Sequence, residues 1–395
     1  MDGKVTLALK VLMFTLGAVL FITQFSTLVT WVPYLSSIMS YATLAHAKLF
    51  APCAIAILTI TLLLFFFHRR TKWFLWAAAL DIASIFIALV MIEAITGVAQ
   101  LNGVKISYFG PDAIARVEGI SEDDYVYAGG RDEDLLITVF SDDQLAAEDG
   151  AAMPIALYVH GGGWVEGDRH WQLFQCRKLA DAGFIAAAID YDVSTPEYHG
   201  AAGLETEMQV RRAIGWLRDH ASEFGGDPTR IALMGDSAGG NIALDVAFKI
   251  NAGDDLDPEG RQLPRISALS VIYPVADPAD FHENDDLVFS SAAHYMTETY
   301  TGGTPEGLPE VYASVTPANF ATPDAPATFI MVGEHDALVP PQPTYDLASL
   351  LERLGVECKL VRIPYENHSM DYPPGNVASQ IYAELTIEWL QQHMM

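Results

Sequence analysis

The chain has 395 residues, of which 51% are hydrophobic and 18% charged, with a formal net charge of −28. That composition excludes a disordered tail and a coiled coil, and at roughly 150 residues per unit the length suits two to three structural units. Residues 1–100 hold six Lys/Arg (Lys4, Lys10, Lys48, Arg69, Arg70, Lys72) against three acids (Asp2, Asp81, Glu93), leaving 16 basic and 47 acidic residues, net −31, in the remainder. So acidic a body repels nucleic acid and anionic headgroups, which excludes a nucleic-acid-binding role.

Three apolar runs come first, over 11–32, 49–67 and 73–95. Each is long enough, as a helix, for a hydrocarbon core of about 30 Å, which predicts three transmembrane helices in an anchor over 1–96. A secretory signal would be shorter, with a small-residue cleavage site and no further spans, so the segment is expected to be retained. Lys4 and Lys10, and Arg69, Arg70 and Lys72 between the second and third runs, belong on the cytoplasmic side. The acidic remainder is therefore expected outside the cell membrane, as the extracytoplasmic part of an integral membrane protein. Trp31 and Tyr34 at one end, and Trp73 and Trp76 at the other, suit interfacial aromatic belts. Asp81, about two turns into the third run, is expected as a carboxyl packed within the bundle rather than a relay, and Glu93 can reach headgroups or water. Cys53 falls in the second run, and Cys176 and Cys358 are expected as free, buried thiols.

Residues 97–120 sustain no period and are read as a connector. From 121 to 395 short apolar runs alternate with amphipathic stretches. Strands are predicted at 135–140, 155–160, 184–191, 231–235, 268–273, 328–333 and 358–363, and helices at 170–182, 204–224, 238–250, 345–354 and 377–392. This is the pattern of an α/β fold with a mostly parallel sheet flanked by helices. Residues 276–324 break the alternation and are too long for a structureless connection, so a cap or lid is expected there.

The chemistry lies in loops after predicted strands. Gly235-Asp236-Ser237-Ala238-Gly239-Gly240 follows an apolar strand and opens a helix. A G-x-S-x-G turn of that kind exposes the serine Oγ at the sheet edge, which makes Ser237 the candidate nucleophile. His160-Gly161-Gly162-Gly163-Trp164 also follows a strand. Its glycines let the main chain approach a substrate, so the amides of Gly162 and Gly163, with that of Ala238, are the candidate oxyanion hole. His160 is expected to brace that loop.

A nucleophilic serine needs a base and an acid that orients the base. Asp336, after one predicted strand, and His368, after the next, are the candidates, and the order Ser, Asp, His suits the elbow. His368 is read as general base and then acid, with Asp336 holding its imidazole. Glu366 and Asp371 are rivals to Asp336 but too near His368 in sequence to reach its Nδ1 readily; Glu334 should point away, and His335 should be exposed or structural. A metal held by His335, Asp336 and His368 would leave the elbow and the glycine loop without purpose. No metal and no cofactor is expected.

At these residues the chain resembles the α/β-hydrolase superfamily, and within it the hormone-sensitive-lipase-like esterases and the feruloyl and acetylxylan esterase group. The resemblance rests on His160 to Trp164 with Val165-Glu166-Gly167-Asp168, on Asp190-Tyr191 ahead of Pro196-Glu197, on Gly226-Asp227-Pro228-Thr229-Arg230-Ile231 leading into the elbow, and on Asp336-Ala337-Leu338-Val339-Pro340. It spans roughly 120 to 395 and implies an α/β-hydrolase fold and cofactor-free hydrolysis of carboxylic esters through an acyl-enzyme. The chain departs from the family at Asp192, where an Arg is usual, and at Ser369, where a Gly usually follows the histidine. The reading is a membrane-anchored serine esterase acting on small or medium acyl esters, its partners a small-molecule, glycan or lipid ester and the bilayer. An acyltransferase using the same triad and a catalytically silent tethered binding module are the alternatives.

Overall fold

The computed structural model describes residues 3–28, 47–67, 72–107, 119–142, 152–202, 204–372 and 374–395. Among the described residues three helices come first: α1 (Gly3–Leu28), α2 (Ala47–Phe67) and α3 (Lys72–Leu101). Among the described residues two stretches, Leu7–Ser26 and Lys72–Leu101, are long and apolar enough to cross a membrane, and Cys53–Phe67 of α2 is shorter. Two rather than the expected three therefore meet that length. The end of the first expected run, with Trp31 and Tyr34, and the basic pair Arg69 and Arg70 lie outside the described residues.

The helices form a bundle with α3 against both others. Phe14 meets Trp73 edge-on at 5.6 Å, and Gly17 faces Ala77 and Asp81, so α1 and α3 run parallel. Asp81 is fully buried and accepts from the Thr61 hydroxyl of α2 at 3.2 Å. A Cβ at Gly17 would lie 2.8 Å from Asp81 Oδ1, so the glycine makes room for the carboxyl.

Helix α3 continues six residues past the expected end of its run, into the stretch read as a connector. Ala99 and Val104 are buried in the same cluster as residues of the last helix, and that contact favours further turns. Gly103, at φ +75°, then ends the helix, and the Val104 N–H returns to the Ala99 carbonyl at 2.8 Å.

Among the described residues the remainder builds one eight-stranded sheet from β1 (Ile120–Gly129), β2 (Asp134–Asp142), β3 (Met153–Val159), β4 (Ile185–Ile189), β5 (Gly226–Asp236), β6 (Ile266–Ile272), β7 (Ala327–Gly333) and β8 (Cys358–Ile363). Their order is β1-β2-β4-β3-β5-β6-β7-β8, antiparallel at β1–β2 and β2–β4 and parallel elsewhere. β3 and β4 are buried throughout, as parallel strands covered on both faces must be, which is why they read as continuous apolar runs. β1 was not expected from sequence. Glu122, Asp123 and Asp124 interrupt its apolar pattern because it is an edge strand, and Arg177 and Arg169 pair with Glu122 at 2.8 Å and with Asp124 at 3.0 Å.

Helices α4 (Leu173–Asp181), α5 (Glu205–His220), α6 (Ser237–Asn251), α10 (Gln342–Arg353) and α11 (Val377–Met394) flank the sheet. Two hydrophobic layers result, one on each face. Residues 276–324 carry α7 (Pro278–His282), α8 (Ser290–Thr301) and α9 (Pro309–Ser314), with Asp277 capping α7 through the amides of Ala279 and Asp280. The cysteines are free, but only Cys176 is fully buried; Cys358 is partly buried and Cys53 exposed. Burial pushes the Cys176 thiol up to about 12, so it stays protonated.

Candidate active site

The residues singled out from sequence sit on loops at the carboxyl ends of β3, β5, β7 and β8, the edge where open α/β sheets place their ligands. Ser237 stands between β5 and α6 with φ at +50°, a left-handed conformation that costs a non-glycine residue of order 1–3 kcal/mol. The turn survives because its neighbours take no space. A Cβ at Gly235 would come within 2.5 Å of the Gly239 backbone, and one at Gly239 would collide with the Val159 and His160 carbonyls.

Two hydrogen bonds join three chain segments. His368 Nε2 lies 2.9 Å from Ser237 Oγ, and His368 Nδ1 lies 2.7 Å from Asp336 Oδ2. The second carboxylate oxygen of Asp336 accepts from the amides of Leu338 at 3.1 Å and Val339 at 2.8 Å, which fixes its plane. Asn367 Oδ1 accepts the His368 amide at 2.7 Å and the Ala337 amide at 2.9 Å, pinning the histidine loop to the aspartate loop. All three residues are buried, and the Tyr273 ring covers the imidazole at 4.6 Å.

The glycine loop packs on the elbow. The Gly161 N–H donates to Asp236 Oδ1 at 3.0 Å and the Tyr158 hydroxyl donates to the same oxygen at 3.1 Å, while burial and the nearby Asp371 raise Asp236 to about 7. Gly162 and Gly163 both have positive φ, and a Cβ at Gly163 would strike Met296 of α8. Ala238 follows Ser237 in the first turn of α6, where backbone amides lack intrahelical partners, and the Asp236 side chain does not cap them. His160 stacks on Tyr191 at 4.2 Å and its Nδ1 meets the Gly161 carbonyl at 2.7 Å. Burial lowers its pKa to about 4, so at neutral pH it is an uncharged brace.

A cavity of about 640 Å³ opens over Ser237, Gly162, Gly163 and His368, and α7 and α8 add Phe281 and Met296 to its wall. The rival carboxylates are engaged elsewhere. Glu334 pairs with Arg362 at 2.8 Å, and Asp371 accepts from the Tyr273 hydroxyl and, at 3.2 Å, from Gln172. Burial raises both Glu366, to about 8, and Asp371. His335 lies edge-on to Tyr365 at 5.7 Å. Sequence reasoning did not find Asn367, Tyr273, Gln172 or Met296. Asn367, one residue before His368, was within reach of that reasoning; the others come from distant segments with no motif to mark them.

Comparison with known proteins gives a consistent picture. A family model described as BD-FAE matches residues 142–351, just over half of the chain, a range that includes Gly162, Gly163, Ser237, Ala238 and Asp336 and stops short of His368. Esterase LipQ of Mycobacterium tuberculosis is 26% identical over 66% of this chain and 60% of its own length, and carboxylesterase NlhH of the same organism is 30% identical over 55% and 66%. The chain thus covers less than two thirds of the length of these curated relatives. Among solved structures, an esterase from the planctomycete Thermogutta terrifontis with bound propionate aligns with a TM-score of 0.55 at 24% identity, over 70% of this chain and 94% of that one. A bacterial heroin esterase aligns with a TM-score of 0.58 at 22% identity, over 77% and 92%. The fold is that of the esterase α/β-hydrolases.

Proposed function

We propose, from the premise that this chain belongs to the BD-FAE family, that it is a membrane-anchored serine esterase hydrolysing carboxylic esters at Ser237. The observation that carries this reading is the relay from Ser237 Oγ to His368 Nε2 at 2.9 Å and from His368 Nδ1 to Asp336 Oδ2 at 2.7 Å. The names of LipQ and NlhH, an esterase and a carboxylesterase, support the reaction class.

In this mechanism His368 accepts the Ser237 hydroxyl proton on Nε2 as Oγ bonds to the ester carbonyl carbon. The imidazolium that forms is stabilised by Asp336. Negative charge on the former carbonyl oxygen falls to the amides of Gly162, Gly163 and Ala238, each such donor contributing about 10²–10³ in rate. The C–O bond then breaks, the alcohol leaves with the proton from His368, and Ser237 carries the acyl group. A water, deprotonated by His368, attacks that acyl-serine, the acyl–Oγ bond breaks, and His368 returns the proton to Ser237 Oγ as the acid leaves. The helices α7 to α9 serve as the lid over 276–324, with Phe281 and Met296 against the acyl chain.

The bilayer holds α1 and α3. These two run parallel, so the chain between them must return, and α2 is placed to do so: it has 21 residues, about 31 Å at 1.5 Å per residue. Lys4, Lys10 and Lys72 on the inner side leave the esterase outside the cell membrane.

Replacing Ser237 by Ala is expected to abolish turnover of p-nitrophenyl acetate and labelling by a fluorophosphonate probe, with the fold unchanged by circular dichroism. Turnover retained in that variant would remove Ser237 as nucleophile. Products analysed with alcohols present would separate hydrolysis from acyl transfer.

A further inference from the structure

The chain leaves α3 beside the rim of the cavity. Gln380, in the first turn of α11, grips the backbone of Ser107 with both ends of its amide. The Ser107 N–H donates to Oε1 at 2.8 Å, and Nε2 donates to the Ser107 carbonyl at 3.0 Å. Nε2 also donates to the Gly375 carbonyl at 2.9 Å. Ala99 and Val104 share a hydrophobic cluster with Ala378 and Ile381 of α11. Ser379, adjacent to Gln380, lines the cavity that holds Ser237, as do Tyr372 and Trp171. The stretch from α3 to the rim is therefore a fixed span rather than a loose tether.

Helix length sets where that span stands. The 30 residues of α3 rise about 1.5 Å each, giving about 45 Å. A bilayer with its headgroups is about 40–45 Å thick. With Lys72 at the inner surface, Leu101 reaches the outer headgroup level, and the Ser107–Gln380 clasp lies just beyond it. On the rim Tyr372 is 67% and Trp171 46% exposed, and both are residue types that settle at membrane interfaces. Gln172 donates to Asp371 at 3.2 Å and so ties the segment bearing Trp171 to the one bearing Tyr372. Charge selects among lipids. The 47 acids against 16 bases beyond residue 100 repel an anionic headgroup and leave a neutral one unaffected.

We propose that the mouth of the cavity lies against the outer leaflet and that the site takes a neutral acyl ester dissolved in the bilayer rather than an ester from bulk water. This rests on the esterase reading above. Ser237 Oγ bonds to the acyl carbon, the ester C–O bond breaks, and the alcohol oxygen leaves with the proton held by His368. Water then releases the fatty acid.

The test uses the full chain reconstituted in phosphatidylcholine vesicles, with monooleoylglycerol in the same vesicles and p-nitrophenyl acetate in the water phase. Oleate release is expected to follow the mole fraction of monooleoylglycerol in the bilayer at constant bulk concentration. Gln380→Ala, which loosens the clasp, is expected to lower oleate release about fivefold, the scale of a lost hydrogen bond, and to leave p-nitrophenyl acetate turnover unchanged. A rate indifferent to surface dilution, an equal fall on both esters in Gln380→Ala, or acetate turnover without oleate release would each overturn this proposal and leave the esterase reading standing. Loss of both activities together with absent fluorophosphonate labelling of Ser237 would overturn the esterase reading itself.

Discussion

Ser237 pays for its position with a left-handed φ of +50°, and Gly235 and Gly239 make that turn feasible by leaving the elbow uncrowded. Its neighbourhood is rich in buried acid, and Glu366 shows the consequence most clearly. Burial, with Asp371 nearby, raises its carboxyl from 4.5 to about 8, so the folded chain keeps a proton that the unfolded chain loses. The stabilisation is complete below pH 4.5 and is lost as the pH rises through 8. Glu366→Gln keeps the neutral form at every pH. Its melting temperature is expected to gain on the wild type from pH 4.5 to 8, by the equivalent of up to roughly 5 kcal/mol at about 1.4 kcal/mol per pKa unit. A gap that does not change with pH would show that Glu366 ionises normally in the fold. The candidates around Ser237 could be named from the sequence, which proposed Asp336 over Glu334, Glu366 and Asp371, and the structure sets Asp336 Oδ2 2.7 Å from His368 Nδ1. The packing of Tyr273 and Gln172 around Asp371 was not legible in the sequence, since those contacts join segments about 100 and 200 residues apart.

At the scale of elements, strands with two covered faces read directly from their apolar runs, whereas β1 hid behind Glu122, Asp123 and Asp124, which are solvated or paired with arginines at the sheet edge. The segment over 276–324 resisted sequence reading for a related reason: its helices are short and hold to the body through polar contacts as much as apolar ones. One such contact is a buried network. Lys249 of α6 donates to Glu207 of α5 at 2.6 Å, to Asp245 at 2.7 Å and to the Ser314 carbonyl at the end of α9 at 2.7 Å. Arg211 adds a 2.8 Å bond to the same Glu207. Lys249→Met keeps most of the aliphatic stem, removes the ammonium bonded to Asp245 and leaves Glu207 with Arg211. The expected loss is about 3–5 kcal/mol in unfolding free energy, as for other broken buried ion pairs. Denaturant titration of the detergent-solubilised protein measures it, and a loss below about 1 kcal/mol would mean the carboxyls take up protons instead.

Across the whole molecule the net charge of −28 is the sum of −31 beyond residue 100 and +3 over residues 1–100. Self-repulsion of that order weakens the compact state and is screened over about 8 Å at 0.15 M salt. Raising sodium chloride from 10 to about 150 mM is therefore expected to raise the melting temperature, and a fall would indicate that attractive pairs such as Arg169 with Asp124 outweigh the repulsion. By itself the sequence determined the alternation of strand and helix, the apolar helices ahead of it and the strongly acidic body, and it marked Ser237, Asp336 and His368, in that chain order, as candidates. These are local properties, written in periodicity, composition and short motifs. Only the tertiary structure decided that α3 runs on to Leu101 and that the chain beyond it is held to α11 by the bond between Ser107 and Gln380, that an acidic strand closes the sheet edge, and that the hydroxyl, imidazole and carboxylate meet at 2.9 and 2.7 Å. Each of these joins residues far apart in the chain, and no local pattern records a contact whose energy arises only when distant surfaces are brought together.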